Sequence, residues 1–417
     1  MLKYLFVLLL LPIICMKNLL SKLWNFQLRE FKPSRTWLLT ALIITVAIGY
    51  PIFEVLFMNT HFGNMHFSIP DLLSFRKGTT ALPPGNSALA PYFTQLWLGL
   101  ALLCVVIRFK VITASYFQSK KALSENTFKH YFYTYFLSFI IGTAAGLLLL
   151  AVLAFISSLI GFTIADGKHF FEQAAFHIYS FIDTRIPSLF NIQNYWLALP
   201  LTILLTALPG WFTHWLCHKS RFCWYVFHRP HHTPQFLHPL ASPPAFVFDF
   251  VLLIPQTIVA AVISKIVYTQ PLLMEMSLWF LAGYCLEIFN HSAIHYTFAY
   301  RNFLVRNLCR LFGDTGVYHL MHHSAKAGDE VINLGAGTLL IWDRLFGTYR
   351  KPYQQLPPLG LTKQPAINMN PFRILFSGLL QIAYELKMNK DFPSRLLIIF
   401  GSVEYKPKQS REFLIEG

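Results

Sequence analysis

Charge is what this chain has least of. Of its 417 residues only 13% are Asp, Glu, Lys or Arg, while 55% are hydrophobic. That balance excludes an ordinary soluble globule of this length. Cysteine is scarce too: Cys15, Cys104, Cys217, Cys223, Cys285 and Cys309 form no C-x-x-C pair. A disulfide framework and a cysteine-held structural zinc are both excluded, and the six read as small apolar residues in a reducing environment. No G-x-G-x-x-G, H-P-G-G or H-E-x-x-H string occurs. The chain therefore lacks the usual marks of a nucleotide site, a built-in haem domain or a zinc hydrolase. Acidic residues are outnumbered, 19 against 34 Lys and Arg, for a net charge of +15. No basic helix carries a base-reading pattern, so no nucleic-acid partner is expected. The excess of base is read instead as loops facing anionic lipid.

What the chain does have is apolar length. Residues 1–16 are apolar, lack a small-residue cleavage site and precede five basic residues (Lys17, Lys22, Arg29, Lys32, Arg35). They read as an interfacial anchor rather than a cleaved signal. Six runs follow that suit membrane spans, at about 37–58, 94–114, 134–163, 195–213, 245–267 and 272–290. The loops between them alternate in charge. Residues 17–36, 108–130 and 214–244 are basic, whereas 59–93 and 164–194 are poor in base. By the positive-inside tendency the basic loops are cytoplasmic, and so is the segment 291–417, with fifteen basic and nine acidic residues. The expected fold is all-α: a polytopic membrane helical bundle with a cytoplasmic helical cap carrying a histidine-rich dimetal site. Three regions are expected: an N-terminal transmembrane region (1–190), a catalytic domain (191–350) and a C-terminal cytoplasmic tail (351–417). In the tail, residues 372–386 read as an amphipathic helix suited to a membrane surface.

Histidine is concentrated. Eleven of the 16 lie between residues 214 and 323, and the other 307 residues hold five. They fall into four motifs. His214 and His218 form H-x-x-x-H, and His228, His231 and His232 form H-x-x-H-H. His291 and His295 repeat the first pattern, and His319, His322 and His323 the second. Residues three and four apart share a helix face, so each motif is expected to aim its imidazoles at one point. Neutral imidazole is the commonest protein ligand for borderline transition metals. Ten convergent histidines exceed the need of one ion and suit two. His238 is an eleventh candidate ligand, or a group behind the ligands. His61, His66, His130, His169 and His177 carry no such spacing. Three carboxylates are candidate catalytic-site partners for the far ring nitrogens: Glu287, four residues before His291, Asp314, five before His319, and Asp343. Pro230, inside the second motif, is incompatible with a regular helix interior there.

The region from about 205 to 350 resembles the fatty acid hydroxylase superfamily, which includes sterol desaturases. The resemblance rests on the four histidine motifs in order, and on the stretch NLGAGTLLIWDRLFGTY from Asn333 to Tyr349. It covers about a third of the chain. It implies two iron ions (with zinc as a replacement in purified protein), dioxygen as co-substrate and oxidation of a C–H bond in a lipid, fatty acyl or sterol-like, to an alcohol or an alkene. It also implies a separate electron donor of the cytochrome b5 or ferredoxin type. The host membrane would be the endoplasmic reticulum or a bacterial inner membrane, with the histidines on the cytoplasmic face. The competing readings are a histidine-lined metal transporter, a zinc-dependent membrane hydrolase and a non-catalytic metal-binding membrane protein. A transporter would place ionisable residues inside the spans, and the first four spans are nearly free of them. Dioxygen consumption coupled to lipid oxidation separates the enzyme from all three.

Overall fold

The computed structural model describes residues 43, 45–49, 52, 65–66, 79–80, 93–159, 180–241, 249–269, 271–311, 316–335, 339–362 and 370–414. Residues 1–16, most of the 37–58 run and Asp314 lie outside this set. The described residues are mostly helical. Among the described residues, extended pairing is limited to a two-residue antiparallel ladder, Met65–His66 with Thr79–Thr80, and to isolated bridges at Ser220–Ser402 and Ser324–Leu359.

Five long helices come from the apolar runs: α1 (Phe93–Ala122), α2 (Glu125–Leu159), α3 (Tyr195–Lys219), α4 (Asp249–Val267) and α5 (Leu273–Glu287). Among the described residues, two helices are long and apolar enough to cross a membrane, Gln95–Ala122 and Tyr195–Lys219. Helix α5 has 15 residues, about 22 Å at 1.5 Å per residue, short of a ~30 Å hydrocarbon core. The expected 272–290 span is thus cut back as an α-helix, and 3₁₀ turns at Ile288–His291 and Ala293–His295 take over.

Helix α1 shows how these elements pack. Its buried positions include Trp97, Ala101, Cys104, Arg108, Val111 and Ser115, spaced four and three apart along one seam that faces a partner, with Leu98, Ile112, Tyr116 and Ser119 beside it. The partner is α5, whose Leu278, Leu281 and Cys285 pack against Trp97, Leu98, Ala101 and Cys104. Contacts climb together along both helices, from Cys285 at Leu100 to Glu287 at Arg108 and Ser292 at Ser115, so the two run parallel. The opposite face of α1 leaves Leu102, Leu103, Val106 and Phe117 exposed, a surface suited to lipid. Helix α4 returns antiparallel beside α3: the Phe190 and Ile192 N–H groups donate to Ile266 and Val267, and Tyr195 packs against Tyr268.

After α5 the chain is built of short helices: α6 (Tyr296–Arg301), α7 (Phe303–Leu311), α8 (Val317–His322) and α9 (Ile341–Phe346). Helix α8 is buried on every side. Its Val317, Tyr318, Leu320 and Met321 join Leu237, Tyr296, Ile332 and Leu340 in one apolar cluster. Gly316 precedes it with φ of 87°, and a Cβ there would lie 2.5 Å from the Phe289 carbonyl oxygen. Only glycine admits that approach.

Residues 370–414 pack against the segment of the second histidine motif. Helices α10 (Pro371–Met388) and α11 (Phe392–Phe400) follow Asn370 and Asp391 caps. One face of α10 buries Ile374, Leu375, Gln381, Ile382 and Glu385, with Ile382 packed on Val226 and Ile398. Gly378 sits directly against the Tyr225 backbone. The outer face leaves Leu379, Leu380 and Met388 exposed.

Candidate metal centre

The first histidine motif lies on the last turns of α3, where His214 and His218 share a face. The second lies in an irregular helical segment, Arg221–His232. Pro230 has no N–H to donate, and the backbone adapts one turn earlier. Residues Trp224–His228 form a π-turn in which the Arg229 N–H reaches back five residues to the Trp224 carbonyl. Such insertions re-aim side chains and recur at functional sites. Here His228, His231 and His232 all become buried.

Nine imidazoles converge in two groups. His214, His218, His228, His232 and His322 bring one ring nitrogen each within 4.8 Å of one another, and His231, His291, His319 and His323 do the same. The groups touch, with the His232 and His323 rings stacked 4.3 Å apart. The expectation that each motif serves one point is corrected. His231 and His232 go to different groups, and so do His322 and His323. Successive helical residues stand about 100° apart, so an adjacent pair cannot aim at the same place.

Two candidate ligands fall outside both groups. His295 follows a break at Ser292 (φ −108°, ψ 80°) that ends the helical phase, and its Nδ1 lies 2.6 Å from Ser292 Oγ. His238 accepts the Leu240 N–H through Nδ1 and packs edge-on against Phe132. Burial pushes it down to about 3.

The far nitrogens are oriented differently in the two groups. His214 Nδ1 lies 2.6 Å from the Leu334 carbonyl and His322 Nδ1 lies 2.8 Å from that of Ile332. His218 bonds the backbone of Glu330. Three alternate residues of one segment thus turn their carbonyls toward three rings. A carbonyl only accepts, so each of these rings carries its proton on the outer nitrogen and presents Nε2 as a lone pair. In the other group Glu287 Oε1 is 3.7 Å from His291 Nδ1.

Asp343 reaches neither group. It is fully buried and accepts from four donors: the Leu334 N–H (2.7 Å), the Gly335 N–H (2.7 Å), the Thr348 hydroxyl (2.6 Å) and Trp211 Nε1 (3.2 Å). Burial pushes its carboxyl above the usual range, and the bonds from Thr348, Gly335, Leu334 and Trp211 pull it back. With four donors bonded to it, and no acceptor bonded to it among the described residues, the carboxylate fits the ionised form. Trp211 is three residues before His214 on α3, so Asp343 fastens the carbonyl-bearing segment to the helix that carries the first motif.

The donor set fits cations. Nε2 atoms face one another at 3.0 Å (His214–His228), 3.1 Å (His228–His232) and 3.2 Å (His218–His322). The second group repeats this at 3.3 Å (His231–His291), 3.1 Å (His291–His319) and 3.0 Å (His319–His323). His218 and His322 both carry their proton on the nitrogen turned to a backbone carbonyl, so their facing Nε2 atoms oppose two lone pairs. A shared cation removes that conflict. His323 Nδ1 is in addition buried with no hydrogen-bond partner among the described residues. Burial first, then neighbouring imidazoles, holds His228, His232, His291, His322 and His323 well below the ordinary histidine range. They are neutral near pH 7, the form a metal binds.

Three supports were not visible as site residues in the sequence. Arg108 had counted as a loop cation, but it is 4% exposed inside α1. Arg221 makes a two-pronged pair with Glu385 at 2.6 and 2.8 Å. Arg229, between His228 and His231, pairs likewise with Glu412 at 2.8 and 3.0 Å. The spacing of Arg108 with Trp97, Ala101 and Cys104 was the available signal for the first; nothing local marks the other two.

No solved structure matches the chain. Residues 199–348, which contain every histidine of both groups and every carbonyl that orients them, match the model of the fatty acid hydroxylase family.

Proposed function

We propose that this protein is a membrane-bound di-iron oxidoreductase that hydroxylates or desaturates a lipid, fatty acyl or sterol-like, with dioxygen and electrons from a separate donor protein. The observation that carries this reading is the closure of nine imidazoles from four separated segments into two adjoining groups. A transport path would instead string its histidines along a span. The family match supports the reaction class. Two bound irons would supply dioxygen activation and abstraction of hydrogen from an unreactive C–H bond.

The chain's own residues hold and shield. The backbone of Glu330, Ile332 and Leu334 orients three rings of the five-histidine group. Asp343 keeps that segment in place through Leu334 and Gly335. Seven of the nine imidazoles are buried, which excludes bulk water, and the two partly exposed ones, His214 and His291, mark the open sides. The parallel course of α1 and α5 agrees with the charge alternation, which brings the ends of both to the cytoplasmic side. In that topology the centre lies at the bilayer's cytoplasmic edge, within reach of a lipid chain. The want of a nucleotide or haem motif in the sequence supports an external electron donor of the cytochrome b5 or ferredoxin type.

The test combines metal analysis of purified protein with dioxygen consumption and lipid profiling of cells with and without the gene. Two irons per chain and an oxidised lipid that depends on the protein are expected. Metal-free protein, or two irons with no dioxygen uptake against cellular lipid extracts, would sink the enzyme reading.

A further inference from the structure

Helix α1 lies outside the family-matched segment, yet it reaches the metal centre. Two of its buried polar residues, Arg108 and Ser115, sit seven residues apart and therefore on one face. They meet the chain on either side of His291. Ser115 Oγ is 2.6 Å from Ser292 Oγ. Arg108 Nη1 donates to the Tyr284 carbonyl at 2.8 Å and to Glu287 Oε2 at 3.0 Å. Its guanidinium lies 3.7 Å over the Tyr284 ring. The other oxygen of Glu287 stands 3.7 Å from His291 Nδ1, and His291 Nε2 faces His231 and His319.

We propose that Arg108, acting through Glu287, is a positioning residue for His291, so that the helix 93–122 completes the four-histidine group from outside the family domain. The Glu287 side chain is 39% exposed while that of Arg108 is 5% exposed. Left alone, a carboxylate so open to water would sample many rotamers. A buried guanidinium that already holds a backbone carbonyl has little freedom, and it fixes one carboxylate oxygen. The second oxygen is then held beside His291 Nδ1. At 3.7 Å it acts as charge rather than as a hydrogen bond. A negative charge there favours the proton on Nδ1 and leaves the Nε2 lone pair turned to the group. The five-histidine group has backbone carbonyls for this task; among the described residues His291 has this carboxylate.

The inference rests on the metal reading above, and the experiment separates the two. Full-length protein is purified metal-free and titrated with Co(II), whose visible spectrum reports each site, followed by metal analysis. The wild type, Arg108→Met, Arg108→Lys, Glu287→Gln and the double variant Arg108→Met/Glu287→Gln are compared. Two ions in the wild type are expected. Arg108→Met and Glu287→Gln should each weaken one ion about 10- to 100-fold and leave the other unchanged. The double variant should be no worse than either single one, and Arg108→Lys should recover part of the loss. Unchanged binding of both ions in Arg108→Met, equal loss of both, or additive losses in the double variant would overturn the proposal. No uptake by the wild type would overturn the metal reading and this inference with it.

Discussion

Asp343→Asn tests whether the backbone strap is what holds the five-histidine group. The substitution keeps the shape of a side chain with no exposure. Oδ1 takes three of the four donors, Leu334 N–H, Thr348 hydroxyl and Trp211 Nε1, so the amide oxygen belongs there. The amide nitrogen then faces the Gly335 N–H, which Oδ2 accepts at 2.7 Å in the native protein. That buried N–H loses its acceptor, at a cost of about 1–3 kcal/mol. The three remaining bonds change from charge-assisted to neutral, losing roughly 1 kcal/mol each. Part of this is offset because a buried charge no longer has to be desolvated. A net loss of about 2–4 kcal/mol follows, which corresponds to several degrees in melting temperature. The local consequence is sharper. The Leu334 carbonyl 2.6 Å from His214 is no longer pinned, and affinity for the ion of that group should fall about 10- to 100-fold. Thermal melting and metal titration of the purified variant measure both. A variant that melts with the wild type and binds both ions as tightly would refute the role of Asp343 and of the strap.

His322→Ala removes a ring of the five-histidine group only, so metal analysis should show about one ion per chain and no turnover. Two ions with full turnover would contradict the assignment. Metal-free protein should lose stability on acidification. The rings of His228, His232, His291, His322 and His323 titrate far below 6.5 when folded, and His238 at about 3. The unfolded chain takes up those protons near pH 6.5. Their contribution is present above about pH 6.5 and is lost as pH falls below it, by up to about 1.4 kcal/mol per ring per pH unit. Melting temperatures that do not change between pH 7.5 and 5.5 would contradict this. Glu385→Ala leaves Arg221 buried without its partner, and the side chains are 0% and 3% exposed. A loss of about 3–5 kcal/mol is expected, read as a large drop in melting temperature. A small drop would mean that water replaces the carboxylate.

The local signals in the sequence were strong where chemistry is repetitive. Apolar runs located the long helices but misjudged their ends. The run at 94–114 became a helix through Ala122, because hydropathy sees the lipid-facing core and not the polar last turns. Histidine spacing identified the nine imidazoles that gather, yet it also included His295. The break at Ser292 is a backbone event that residue spacing does not register. The splitting of His231 from His232 and of His322 from His323 was implicit in helical geometry. Asp343 stood out in the sequence as a partner of imidazoles, and it acts one step further away, through backbone. Arg108, Glu385 and Glu412 read as ordinary loop or surface charges, since their partners lie 179, 164 and 183 residues away. Long-range pairing of that kind has no local signature.

The pairing of Arg229 with Glu412 also bears on biosynthesis. The second histidine motif is braced by a residue made 183 positions later. During translation the early histidines emerge long before that brace exists. This contact closes only after residue 412 has left the ribosome, and a bulky fusion placed just beyond it should disturb the Arg229–Glu412 pair.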